Sequence, residues 1–160
     1  MRRLLLALVG CAALVGVGVA PASAATRVSA DGAFTVVVTG APATQPLPGS
    51  RCLATAPVLL TFEGTLSGAA PGTIRIVFDA PCDQAFASPP GTFADVFVVT
   101  GTFTGTVAGQ RTSATLVYSG VTRPGGQVRG LIALHGDSHG LLRVEARAGA
   151  GGTYSGAVTP

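Results

Sequence analysis

Lysine and tryptophan are missing from this chain, methionine occurs once, at position 1, and charged residues make up only 11% of the 160. Each shortage excludes something. Without lysine, no glycine-rich stretch, Gly149 to Gly152 included, ends in the Lys-Ser/Thr pair of a phosphate-binding loop. With so few charges, most groups from which a buried acid–base site would be built are lacking. The cysteines never fall in the close Cys-x-x-Cys spacing that redox pairs and zinc sites use. No segment sustains a helical period. What fills the chain instead is Gly, Thr, Val and Ala, a composition that favours strands punctuated by turns.

The first residues read as an address. Arg2 and Arg3 are followed by an uncharged run from Leu4 to Ala20, and Ala22-Ser23-Ala24 supplies the small-x-small pattern of signal peptidase, with Pro21 ending the helix just before it. Residues 1–24 are thus expected to be a signal peptide, and residues 25–160 a single domain exported to the periplasm or the extracellular space. Two other readings stand beside it. An uncleaved anchor would need about 20 apolar residues, and this run is slightly short. A lipoprotein would use Leu8-Val9-Gly10-Cys11 as a lipobox, with Cys11 acylated. Cleavage leaves no segment for stable membrane insertion. It also removes Arg2 and Arg3, so the formal net charge falls from +3 to +1 and no dense basic stripe remains. Nucleic acid is not the expected partner. Two cysteines survive, Cys52 and Cys82, and an even count in an exported chain reads as one disulfide. Its loop of about 30 residues would contribute roughly 3–4 kcal/mol through chain entropy.

The clearest internal pattern lies between Val96 and Val107. Phe97, Val99, Gly101, Phe103, Gly105 and Val107 share one parity; Val96, Val98 and four threonines share the other. Side chains alternate across a strand, so this is one long strand with an apolar face. Its glycines leave room for large neighbours or let the strand bend. The same alternation places Phe34, Val36 and Val38, then Val58, Leu60 and Phe62, then Ile74, Ile76 and Phe78 on inner faces. Ala114, Leu116 and Tyr118, then Val128, Ile132 and Leu134, then Leu142, Val144 and Ala146 follow suit. Turns are expected at Pro71-Gly72, Gly109-Gln110, Pro124 to Gly126, Gly136 to Gly140 and Gly149 to Gly152. Residues 41–50 and 80–92, each carrying three prolines, are expected as loops that the disulfide ties together. About eight strands joined mostly by short turns predict an all-β fold, a single antiparallel β-barrel, with a β-sandwich as the runner-up.

From Val98 to Gly156 the wording is also familiar. Gly101-Thr-Phe-Thr-Gly105-x-x-x-Gly109 precedes Tyr118-Ser119-Gly120, then Gly140-Leu-Leu-Arg143, then Gly151-Gly-Thr-Tyr154-Ser-Gly156. This resembles a group of uncharacterised bacterial secreted proteins with an allene oxide cyclase-like barrel, akin to plant dirigent proteins. The resemblance covers under half of the expected mature chain and implies an eight-stranded, calycin-like barrel. The plant relatives act on hydrophobic oxygenated substrates or phenoxy radicals. The matching positions, mostly turn glycines, carry no catalytic residue over. Where the family runs Gly-x-Gly-x-Leu-x-Gly-Leu-x-Gly, Gly136-Asp-Ser-His-Gly140-Leu-Leu-Arg-Val keeps the pattern only in part.

Charge placement narrows the candidate sites. Glu63, Arg75, Asp79, Arg129, Arg143, Glu145 and Arg147 all fall on outward parities, where they belong to a solvated exterior. Asp95 is the exception: it shares parity with Phe97 and Val99 and points inward at the strand's entrance. It reads either as a wet rim residue or as an acid or base at the mouth of an apolar pocket, with Tyr118 as a hydrogen-bond partner. His135, Asp137 and His139 are a second constellation. A hairpin there would set two imidazoles opposite each other beside a carboxylate, a zinc- or copper-like donor set, although a Gly-Asp turn needs no metal. Ser138 between Asp137 and His139 makes no relay, because neighbours on a strand point to opposite faces. The sequence therefore implies no cofactor and no particular oligomeric state. Its expected function is non-catalytic: an exported barrel that binds a hydrophobic small molecule or serves as a structural or interaction module. The alternative is a cyclase or isomerase acting on a lipophilic substrate inside the barrel.

Overall fold

Alternation becomes strand almost wherever the sequence carries it. The computed structural model describes residues 26–160; the expected signal peptide, its Ala22 and Ala24 cleavage signature and Cys11 lie outside the described residues. Nine strands follow in order: β1 Val28–Val38, β2 Ala43–Leu47, β3 Arg51–Gly64, β4 Leu66–Phe78, β5 Asp95–Val107, β6 Gln110–Arg123, β7 Gln127–Gly136, β8 His139–Arg147 and β9 Gly151–Thr159. One six-residue helix, α1 Cys82–Ala87, sits between β4 and β5. From β3 to β9 every strand pairs antiparallel with the next. β1 then pairs with β9 on one side and β3 on the other, which closes an eight-stranded barrel. Closure sets the sandwich aside.

β2 is the extra strand, and it lies where a loop is expected. It pairs only with the start of β3, Leu47 facing Arg51 and Ala43 facing Thr55. Pro46 is tolerated because β2 is an edge: a proline there leaves no interior ladder bond unmade. The expected turn at Pro71-Gly72 is also displaced. Those residues lie within β4, and the chain reverses at Thr65, after Gly64 adopts a φ of +107°. Pro71 has no N–H, and the β4–β5 ladder skips it together with Ala70. Gly72 faces Gly101 across that ladder; a Cβ on Gly72 would lie 2.4 Å from the Thr100 carbonyl oxygen. The glycine serves a close approach of two curved strands instead of a turn. Within 80–92 the expected loop contains α1, and the 136–140 connection shrinks to the pair Asp137–Ser138.

The interior is not uniform along the barrel. At one end Leu66, Phe103, Val107, Leu134 and Val158 are wholly buried and pack solidly. Tyr154, from β9, crosses this region; its hydroxyl accepts a hydrogen bond from the Leu66 amide at 2.8 Å and lies 3.0 Å from the Glu63 carbonyl. An aromatic chain then leads toward the other end. Phe103 meets Phe62 at 5.6 Å between centroids, Phe62 meets Phe34 at 5.8 Å, Phe34 meets Tyr118 at 5.6 Å and Tyr118 meets Phe97 at 4.9 Å. All seven charged residues assigned to the exterior by parity are exposed.

Candidate functional site

Beyond Tyr118 and Phe97 the packing stops. The barrel end formed by the end of β4, the start of β5, the end of β6 and the start of β7 encloses a cavity of about 580 Å3. Its walls are the inward residues the alternation identifies, among them Val36, Ile74, Ile76, Phe78 and Val128. Sequence parity did not reveal that these side chains leave space, because parity carries direction and no volume.

A strap crosses this open end. Cys82, the first residue of α1, is bonded to Cys52 near the start of β3, with their Cα atoms 4.8 Å apart. From that staple the chain runs over the mouth, and Phe86 packs edge-on against Phe78 with centroids 5.8 Å apart. The far end is clamped by the β6–β7 turn, whose Gly125 amide donates to the Gly91 carbonyl at 3.0 Å; that turn is itself tied to the β8–β9 turn by the Ala148 amide, which donates to the Gly126 carbonyl at 2.9 Å. Gly91 meets the β6–β7 turn so closely that a Cβ on it would lie 2.3 Å from Gly126 Cα. α1 itself buries no residue, so the two clamps hold the strap. Phe86 and Phe93 both line the cavity from it; Phe86 lies outside any periodic pattern, whereas Phe93 extends the parity of Asp95 and Phe97 by one step.

Asp95 and Tyr118 both line the cavity, as does Thr122, which faces Asp95 directly across the β5–β6 ladder. Gly120 and Gly130, opposite each other on β6 and β7, shape the floor beneath them. A Cβ on Gly120 would lie 2.7 Å from the Phe97 ring, and one on Gly130 would lie 2.8 Å from Tyr118 Cε2. The two rings therefore lie over bare backbone. Tyr118 starts opposite Ile132 and leans over Gly130, two residues nearer the mouth, which carries its hydroxyl toward the level of Thr122 and Asp95. Asp95 Oδ1 is buried and has no hydrogen-bond partner among the described residues. Burial raises the Asp95 pKa above its ordinary 3.8, with the Thr122 side chain acting in the opposite direction. Burial likewise raises the Tyr118 phenol, and the Asp95 charge adds to the rise. At this position a carboxyl with one oxygen unpaired and a phenol that holds its proton share one apolar chamber.

Arg147 is exposed as parity requires, yet it also borders the mouth, where its guanidinium reaches the Gly125 carbonyl at 3.4 Å. His135, Asp137 and His139 are all exposed around the β7–β8 turn. Ser138 turns inward between them and donates to the Thr112 hydroxyl at 2.9 Å, which pins the turn. Among the described residues no three His, Cys, Asp or Glu side chains come together as a metal site.

No family model matches the chain, and no curated protein matches it. Among solved structures, it is similar to the crystal structure of a protein of unknown function from the DUF3224 family of Shewanella oneidensis MR-1. The TM-score is 0.61 at 18% identity, over 83% of this chain and 96% of that one. At that identity the likeness is one of fold.

Proposed function

We propose that this protein is an exported, non-catalytic carrier or receptor that holds a lipophilic small molecule in the open end of its barrel. The observation that carries this reading is the contrast between a solid end and a hollow end in one continuous apolar interior. A barrel serving only as a structural or interaction module would gain by filling both. The volume, about 580 Å3, suits a ligand of drug-like size, for which pockets of roughly 300–1,000 Å3 are usual. Its lining of aliphatic and aromatic side chains with a few polar groups is of the corresponding type. Export is supported by the leader-like first 24 residues and by the Cys52–Cys82 disulfide, a bond that persists in oxidising compartments. Among the described residues no helix is long and apolar enough to cross a membrane.

The position of Asp95 and Tyr118 favours one second reading, a cyclase or isomerase in which the chamber imposes a conformation on a lipophilic substrate. The resemblance to allene oxide cyclase-like barrels points the same way. Mass spectrometry of small molecules released from the natively secreted protein separates the readings. A binder yields one apolar species that the protein returns unchanged on incubation; an isomerase converts it, and Asp95→Asn slows that conversion. Protein that carries nothing and leaves the neutral fluorophore N-phenyl-1-naphthylamine dark refutes both.

A further inference from the structure

We infer that the ligand of this cavity is a lipophilic cation, an amine or quaternary ammonium on an apolar body, with Asp95 as its counter-charge and the surrounding rings as its walls. The inference rests on the reading of the cavity as a binding site and adds the chemistry of what it selects. Three observations carry it. Asp95 projects into an apolar chamber and its buried Oδ1 finds no donor. Six aromatic side chains line the same chamber: Phe34, Phe78, Phe86, Phe93, Phe97 and Tyr118. Finally, the chain contains no lysine, and Arg147, the one basic residue of the lining, stands at the rim with its guanidinium directed to a turn carbonyl.

Those features sort ligands by charge. A lipophilic anion would meet an acid and ring faces of negative potential, with no cation at depth to receive it. A neutral alcohol would satisfy Oδ1 but would leave the ring quadrupoles unused. A cation satisfies both, since charge-assisted hydrogen bonds and ion pairs to carboxylate exceed neutral ones and aromatic faces attract positive charge. The groups facing Asp95 do not pre-empt that role. From β6 come the Thr122 hydroxyl and the Tyr118 phenol, which is a donor or neutral acceptor while it keeps its proton. Arg147 lies at the end of β8, on the rim. Arg51 and Asp79 flank residues 94–96 from a separate pocket of about 230 Å3 that Asp95 also borders. Burial raises the pKa of the Asp95 carboxyl and a hydrogen bond from the Thr122 side chain lowers it, and among the described residues no basic side chain joins them as a cause.

The test is displacement of N-phenyl-1-naphthylamine by three matched probes: decyltrimethylammonium, decan-1-ol and decanoate. The ammonium is expected to compete about tenfold better than the alcohol, or more, and decanoate worse than both. In Asp95→Asn the ammonium should lose its advantage over the alcohol. Because the ammonium cannot titrate, lowering the pH through the Asp95 transition should weaken it relative to the alcohol in the wild-type protein. This second measurement needs no variant. Equal or better binding of the alcohol, or an ammonium preference that survives both Asp95→Asn and acidification, overturns the inference and leaves the cavity reading standing. A wild-type protein that binds neither the fluorophore nor any probe removes the cavity reading and the inference together.

Discussion

The two tyrosines of this chain are almost equally buried, at 2% and 3% exposure, yet removing their hydroxyls should have opposite consequences. Tyr154 lies across the solid end, where its oxygen takes the Leu66 amide proton at 2.8 Å and approaches the Glu63 and Leu66 carbonyls at 3.0 and 3.3 Å. It thereby holds the β3–β4 turn across β1, the strand that lies between β9 and β3. Tyr154→Phe leaves the buried Leu66 amide without its partner. A buried donor without a partner costs about 1–3 kcal/mol, and the lost contact to the carbonyls places the expectation near 2 kcal/mol. In a domain of this size that lowers the melting temperature by about 6–10 °C. Tyr118→Phe removes a hydroxyl that faces the cavity and should cost under about 0.5 kcal/mol, in line with substitutions that leave no buried group unpaired. Urea unfolding followed by far-ultraviolet circular dichroism compares them, with the midpoint moving and the m-value constant. If Tyr154→Phe proves no more damaging than Tyr118→Phe, the assignment of one phenol to architecture and the other to the chamber is wrong.

Three further expectations follow from the same geometry. Both phenols are raised above the ordinary 10.0, chiefly by burial. A raised tyrosine contributes stability that is fully present below about pH 10 and is lost as pH climbs through its folded value. The phenolate absorbance of a protein with two tyrosines and no tryptophan should therefore stay flat near pH 10 and rise only with alkaline unfolding; a tyrosine titrating normally in the folded state would contradict this. Replacing Cys52 and Cys82 together by serine releases a sequence separation of 30 residues, which should cost roughly 3–4 kcal/mol by chain entropy. The freed strap should also quicken fluorophore exchange in stopped-flow, and an unchanged rate would mean that the strap does not gate the mouth. Val36→Phe should put its ring into the cavity and abolish fluorophore binding at a cost below about 1 kcal/mol. Val107→Phe, in the solid end, should instead cost about 1–3 kcal/mol through overpacking and spare binding; calorimetry and titration on the pair check both.

Direction was legible in the sequence, and distance was not. The parity of Phe97, Val99 and Phe103 located the interior, singled out Asp95 and gave Tyr118 as its neighbour, because a period of two is local and survives without tertiary knowledge. The disulfide followed from the two cysteines left after the expected cleavage, read in an exported chain. Pro71-Gly72 misled because the same dipeptide that marks a turn also suits a place where two bent strands nearly touch. Only the partner strand, with Gly101, decides between them. Phe86 went unnoticed since an irregular strap has no period to betray its inward side, while Phe93 could have been found by extending the parity of Asp95 and Phe97 back by two residues. Tyr154 could have been singled out by its parity with Gly152 and Gly156, but its partners are backbone groups of a turn some 90 residues away, as the separations of 88 and 91 attest. The hollow itself depends on summed side-chain volumes around eight strands, a quantity no single strand records.

The uneven filling of the barrel has a consequence for the protein's history as well as for its chemistry. The core is solid where Leu66, Phe103, Val107, Leu134 and Val158 exclude all solvent, while Val37, Val38 and Phe86 at the rim of the cavity are exposed and stand outside the buried core. Substitutions at the mouth are therefore decoupled from folding: they can alter what is selected without crossing the stability threshold that eliminates most mutations. Such an architecture lets specificity drift between lineages while strand register stays constant.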